Sequence, residues 1–405
     1  MHHFQFGFTQ KSNTLAAVTN LTTHIRKKMD DGKKVGVIFL NLQRAFDSVD
    51  HQVLLSRFEN IGVSGSELSL LRTYLENRTS VVEANDVRSD PLEMPFGVPQ
   101  GSIVGPTFFN VFIDPILDLE LGGHAQCLAD DKSLVFDAAN LDDLFLNMQR
   151  AFDMINRCLK MIGLFLNPKK SEYLIMRHPR TELHLQPHHN LYMRGESIAR
   201  VSFARYLGCL IDNTLSFREH INMITSRLRS NLFALKRSRH LLTQRAAWDM
   251  YNAYINSHVI HLCPIWAAAS KQRLRSIEVL QSKALRLVLN KRYDCSRSEL
   301  YSAKLLPLRF LMHKIIFRKI HHSYEVLQVA QINSHDTRNA NNFRMYRFRT
   351  QIGSNSILEK GIKLFNELPD ALKLDIPIAR FKKVLKEHLW NTSRWKYLDQ
   401  PDYKI

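Results

Sequence analysis

Two adjacent acids, Asp130 and Asp131, stand between two apolar, β-prone segments: Cys127-Leu128-Ala129 on one side and Ser133-Leu134-Val135-Phe136 on the other. That layout suits a hairpin with tandem carboxylates at its tip. Like charges held side by side cost free energy unless a cation neutralises them. Mg²⁺ bound by carboxylates next to substrate phosphates is a common solution, and two metal ions clamping an in-line phosphoryl displacement is polymerase and nuclease chemistry. Aspartate is also an ordinary turn residue, so the pair alone leaves a solvated turn open as the alternative.

Two upstream segments narrow the choice. One is Phe39-Leu40-Asn41-Leu42-Gln43-Arg44-Ala45-Phe46-Asp47-Ser48-Val49-Asp50-His51, and the other is Phe96-Gly97-Val98-Pro99-Gln100-Gly101-Ser102-Ile103-Val104-Gly105-Pro106. In order, spacing and wording, these and the Ala-Asp-Asp turn resemble the palm motifs of reverse transcriptases. They are closest to non-LTR retrotransposons of the jockey-like and LINE type, which read F-L-D-L-x-x-A-F-D-S-V-D-H, G-V-P-Q-G-S-x-L-G-P and A-D-D.

The resemblance implies an α+β fold: a right-hand polymerase palm, built as an antiparallel sheet with helices, with partial fingers, then an α-helical thumb and a C-terminal extension. The expected divisions are 1–214, 215–325 and 326–405. The first recognisable motif is Gln5-Phe6-Gly7-Phe8. The chain is therefore expected to be truncated at its N-terminus, without the earlier finger residues and the endonuclease of the family.

The same resemblance implies the roles of individual residues. Asp130 and Asp131 are the expected ligands for Mg²⁺ (or Mn²⁺). Position 41 should supply a further aspartate from the neighbouring strand, but Asn41 stands there. An amide oxygen can coordinate a hard cation but brings no charge. A loss of ~3–5 kcal/mol of transition-state stabilisation would slow the reaction roughly 10²- to 10⁴-fold. Asp47 lies too far along to replace it. Phe46 is the expected aromatic that excludes a ribose 2′-hydroxyl, with a core phenylalanine as the plainer alternative. Gln100 and Gly101 are expected at the incoming nucleotide, glycine permitting close backbone approach. Lys170, and after it Lys169, is expected to protonate or offset the leaving pyrophosphate; a solvated lysine pair at a turn fits about as well. Tyr206, Leu207 and Gly208 resemble the primer grip. The implied function is RNA-directed DNA synthesis by two-metal nucleotidyl transfer. Its partners would be an RNA template, a DNA primer and deoxynucleoside triphosphates. Asn41 and the missing fingers impair it, which leaves a catalytically inactive nucleic-acid-binding remnant or domesticated protein as the alternative.

Composition agrees. The net charge is +18, and residues 218–325 hold 20 Lys and Arg against 6 Asp and Glu. A segment that basic favours a polyanion. Arg227, Arg229, Lys236, Arg237 and Arg239 fall between the apolar positions Ile221, Ile224, Leu228, Leu232 and Leu235, so they are expected to face nucleic-acid backbone. No apolar run reaches the roughly 18 residues of a membrane helix, so no membrane partner is expected. Five scattered cysteines without a Cys-x-x-Cys pair fit reduced thiols inside the cell, in cytoplasm and nucleus. His258, His261 and Cys263 have metal-like spacing but lack an evident fourth ligand, which weighs against structural zinc.

Periodicity places helices over 12–29, 51–61, 66–76, 103–121, 141–162, 221–239 and 273–289. Strands are expected over 35–42, on both sides of Asp130, after 163 and around 204–212, with helices alone following 215.

Overall fold

A computed structural model describes residues 4–9, 12–300, 307–322, 348–350, 353, 357–369, 372 and 377–392. The chain forms two compact units, 1–208 and 209–405. Most of the expected C-terminal extension, including 326–347 and 393–405, lies outside the described residues.

The first unit opens with α1 (Thr14–Asp30), whose N-terminus is capped by the Asn13 side chain accepting from Ala16 N. Its apolar stripe Val18, Leu21 and Ile25 is fully buried, and a turn at Gly32, with φ 79°, leads into β1 (Lys34–Leu40). All of β1 after Lys34 is buried, as expected of an unbroken apolar run in a central strand. Helices α2 (His51–Asn60), α3 (Gly65–Leu75) and α4 (Gly105–Ile113) follow. Between α3 and α4 lie two small exposed ribbons, Thr79–Ser80 with Leu92–Glu93 and Glu83–Ala84 with Val87–Arg88. Helix α4 is shorter than the 103–121 expectation. Pro106 fits its first turn, but Pro115 cannot donate into a continuing helix, and the chain passes into a short 3₁₀ turn at Asp114–Ile116.

Strands β2 (His124–Leu128) and β3 (Asp131–Ala138) form the hairpin. Then come α5 (Leu141–Met161), β4 (Glu172–Ile175), β5 (Ala199–Arg200) and β6 (Phe203–Tyr206). The five-stranded sheet runs β5-β4-β1-β3-β2. It is antiparallel except at its edge, where β5 pairs parallel with β4. Alternation sorts the side chains into two faces. Ile38, Leu40, Leu134, Phe136, Tyr173 and Ile175 pack with Phe109 of α4 and Met148 and Phe152 of α5. On the other face, Gln126 donates to Ala17 O of α1. Gly36 lets α5 close on β1, because a Cβ there would overlap the Met148 thioether.

Among the described residues, the second unit opens with β7 (Cys209–Asp212) and its regular elements are otherwise helical: α6 (Arg218–Ser238), α7 (Gln244–Tyr251), α8 (Lys271–Val288), α9 (Leu308–His322), α10 (Ile357–Asn366) and α11 (Ile378–Thr392) are the longer helices. Buried Trp266, Tyr251, Phe365 and Phe381 mark its core.

Candidate active site

The hairpin tip is a two-residue turn, since Leu128 pairs with Asp131 across it. Ala129 takes φ 56°, a left-handed conformation that costs a non-glycine residue about 1–2 kcal/mol. The neighbouring chain holds it there. Phe6 N donates to Cys127 O at 2.8 Å and Cys127 N to Phe4 O at 3.0 Å, so residues 4–6 run along β2. The Gln5 side-chain oxygen accepts from Gly7 N at 3.0 Å and Ala129 N at 3.2 Å. Asn110 of α4 donates to Gly7 O at 2.7 Å. Any Cβ on Gly7 would overlap Ala129 N. The Gln5-Phe6-Gly7-Phe8 motif is thus a buttress for the carboxylate turn, a role its wording did not reveal.

Asp130 and Asp131 are exposed at this tip. The Asp131 carboxyl is held above the ordinary range, first by partial burial and then by the Asp130 charge, with Lys132 opposing. The β1–β3 ladder ends at Leu40↔Lys132, so Asn41 and Asp131 each adjoin its last pair in the chain. Asn41 is fixed from its other side. Its N–H donates to the Ser171 hydroxyl at 3.2 Å, and its carbonyl accepts from Asn167 N at 2.8 Å. Leu42 bridges to Leu166. The Asn167–Ser171 turn that carries exposed Lys169 and Lys170 therefore lies against residue 41.

The Gly-Val-Pro-Gln-Gly loop docks on the segment after Asn41. Gly97 N donates to Val49 O at 2.7 Å and Val98 N to Phe46 O at 3.0 Å. Gly97 O accepts from Arg78 at 3.1 Å and lies 2.7 Å from the His51 imidazole. The Gln100 amide donates to the Asp47 carboxylate at 2.8 Å. Gly101 has φ 88° and open space around its Cα. Phe46 is half-buried and stacks on Phe109, centroids 4.4 Å apart. One side of the Phe46 ring thus joins the core.

Other expected residues go elsewhere. Tyr206 is 3% exposed, its ring lies 5.4 Å from Phe39, and its hydroxyl accepts from Gln126 at 3.1 Å. Its side chain therefore supports the sheet. Leu207 and Gly208 form a turn with φ 49° and 82°. Arg227, Arg229, Lys236 and Arg237 are exposed on α6. Arg239 is a correction: its guanidinium donates to Leu287 O at 2.9 Å, Val288 O at 3.4 Å and Leu242 O at 3.1 Å. It caps the C-terminal carbonyls of α8, where a cation is favoured.

Cys263 is fully buried, and burial pushes its thiol up. Among the described residues, the three-member metal-capable group is Asp142, His188 and His189, apart from the His258–Cys263 run. There His189 Nδ1 accepts from Gln186 N at 2.9 Å while Nε2 faces Asp142 at 3.0 Å. A ligating histidine normally donates through its other nitrogen, so this pattern fits a hydrogen-bonded clip.

Residues 1–211 match the family described as reverse transcriptase (RNA-dependent DNA polymerase). Among curated relatives, a probable RNA-directed DNA polymerase from transposon BS of Drosophila melanogaster is 27% identical over 294 residues, covering 70% of this chain and 32% of that protein. The RNA-directed DNA polymerase from mobile element jockey of Drosophila funebris is 23% identical over 295 residues, covering 70% and 32%. The chain thus spans about a third of the length of these relatives.

Proposed function

Because the chain belongs to the reverse transcriptase family, of the non-LTR retrotransposon type, we propose that it extends a DNA primer on an RNA template at the Asp130-Asp131 hairpin. The observation that carries this reading is the β1–β3 ladder, whose last pair, Leu40↔Lys132, adjoins both Asn41 and Asp131 in the chain. The donors fit a divalent ion: two carboxylates and an amide oxygen are hard ligands. Asp130 and Asp131, with Asn41, would hold Mg²⁺ or Mn²⁺, which when bound acidifies the primer 3′-hydroxyl and neutralises developing charge.

The chain's own residues do the rest. The exposed part of the Phe46 ring packs against the deoxyribose and leaves no space for a 2′-hydroxyl. Gln100, anchored by Asp47, presents its amide to the incoming nucleotide, with the Gly101 backbone beside it. Lys170 Nζ offers a proton to the leaving pyrophosphate. Arg227, Arg229, Lys236 and Arg237 grip nucleic-acid backbone with a salt-dependent affinity. The Leu207–Gly208 turn steadies the primer. The protein works inside the cell, in cytoplasm and nucleus.

Asn41 favours a second reading, a nucleic-acid-binding protein with little catalysis, since one carboxylate of the set is replaced by a neutral amide. Primer extension on an RNA template with Mg²⁺ or Mn²⁺ decides between them. On the polymerase reading the native chain extends the primer at a rate near that of Asn41→Asp; on the second reading Asn41→Asp extends roughly 10²- to 10⁴-fold faster than the native chain; and Asp130→Asn abolishes extension in either background. Equal rates for native chain and Asn41→Asp would overturn the second reading. Extension insensitive to Asp130→Asn would overturn the site.

A further inference from the structure

Strand β6, which leads into the Leu207–Gly208 turn, is not one of the five strands of the main sheet. Its last residue is nonetheless keyed to that sheet. The Tyr206 ring lies 5.4 Å from the Phe39 ring of β1, centroid to centroid, and its hydroxyl accepts from the Gln126 side chain of β2 at 3.1 Å. The same Gln126 nitrogen donates to Ala17 O of α1, also at 3.1 Å. Both of its N–H groups are thus used, one on α1 and one on β6, which fixes the side chain in one orientation. Gln126 is 0% exposed. A buried amide is costly unless it is hydrogen-bonded, and the net gain from each such bond is small, so a glutamine here fixes geometry more than it adds stability. The strands that Tyr206 meets are the two that run to the proposed site: Phe39 precedes Asn41 by two residues, and Gln126 precedes Asp130 by four.

We propose that Gln126 and Tyr206 are positioning residues: their hydrogen bond fixes the Leu207–Gly208 turn relative to the carboxylate hairpin, and so sets where a primer 3′ end lies against Asp130 and Asp131. Both side chains are buried and touch no substrate; they act through the turn. The proposal rests on the polymerase reading above, in which that turn steadies the primer. A misplacement of about 1 Å can slow a reaction on the order of 10²-fold, so the loss of one bond between β2 and β6 is enough to be felt at the reacting atoms.

Single-nucleotide primer extension on an RNA template tests it, in the full chain carrying Asn41→Asp, the background in which both readings expect extension. Tyr206→Phe keeps the ring against Phe39 and removes only the hydroxyl. Gln126→Met keeps the side-chain length and removes both donated bonds. Each is expected to lower the rate at saturating nucleotide by about tenfold or more and to leave the nucleotide KM unchanged, because Phe46, Gln100 and Gly101 stay where they are. The double variant is expected to be no slower than Gln126→Met alone, since both changes break the same hydrogen bond. An unchanged saturating rate in Tyr206→Phe, a rise in the nucleotide KM, or losses that multiply in the double variant would each overturn the proposal and leave the polymerase reading standing. No extension by the Asn41→Asp chain itself would overturn that reading, and the proposal with it.

Discussion

Gly97 and Gly101 share one backbone conformation, φ 87° and 88°, in different surroundings. A Cβ on Gly101 would meet nothing within 4 Å, whereas on Gly97 it would lie 2.9 Å from Asp47 O and 3.0 Å from Asp47 Cα. A left-handed backbone costs an L-residue about 1–2 kcal/mol, and both alanine variants carry that cost. Crowding adds only at Gly97. Asp47 cannot simply retreat, since its N–H donates to Arg44 O at 3.0 Å and its carboxylate accepts from Gln100 at 2.8 Å. Overpacking of that kind costs about 1–3 kcal/mol. Gly101→Ala should therefore lose about 1–2 kcal/mol and Gly97→Ala about 2–5 kcal/mol. Urea denaturation of the full chain, followed by far-ultraviolet circular dichroism, reads the difference as a shift in midpoint at constant slope. Gly97→Ala should also weaken nucleotide binding more than Gly101→Ala, because it pushes the loop off residues 46–51. Equal midpoints for the two variants would refute the argument that contact with Asp47, beyond backbone strain, demands glycine at 97.

Three further outcomes follow from the same geometry. Arg239→Met should destabilise the second unit by about 1.5–3 kcal/mol, the range for hydrogen bonds to a charged group. It should leave the salt dependence of nucleic-acid binding unchanged, while alanine at Arg227, Arg229, Lys236 or Arg237 should each flatten the log–log salt slope by roughly 0.7–0.9 if it meets a phosphate; filter binding across a salt series measures both. Burial, then His261 and Arg227, holds the His220 imidazole down at about 4, against 6.5 when free. The folded chain therefore binds fewer protons than the unfolded one in that window, and this stability, up to about 3 kcal/mol, is complete above pH 6.5 and lost as pH falls toward 4. His220→Gln should show a correspondingly flatter dependence of urea midpoint on pH. Gly7→Ala, whose Cβ would overlap backbone at Ala129, should cost about 1–3 kcal/mol and reduce Mn²⁺ binding at the hairpin; a thermal melt and a Mn²⁺ titration followed by electron paramagnetic resonance check it.

Much of this architecture was legible along the chain. The helix expected over 141–162 runs Leu141–Met161, and the strand expected over 35–42 runs Lys34–Leu40. Each has a local period and a local boundary, such as the Asn140 side chain capping the start of α5. Asn41 is hydrogen-bonded to the turn bearing Lys170, the ladder that ends beside it leads to Asp131, and Gln100 reaches the Asp47 that follows Phe46. What escaped the sequence depends on distant partners. Lys132 reads as one more polar residue after the aspartates until Leu40 and Cys127 flank it. Arg239 looks like a member of the basic stripe until Leu287 and Val288 arrive from α8. Tyr206 resembles a primer contact until Gln126 accounts for its hydroxyl. The ordering of the sheet, with β1 between β3 and β4, is also non-local, and it is what brings residue 41 to the hairpin.

That juxtaposition can be read directly by affinity cleavage. Fe²⁺ in place of Mg²⁺, with ascorbate and peroxide, generates radicals that cut the backbone beside the bound ion. At saturating Fe²⁺ the native chain should be cut at two places, around residues 40–42 and around residues 129–131, and Asp130→Asn should remove both cuts. Cleavage at only one of them, or cuts that persist in Asp130→Asn, would contradict a shared ion site between β1 and the hairpin.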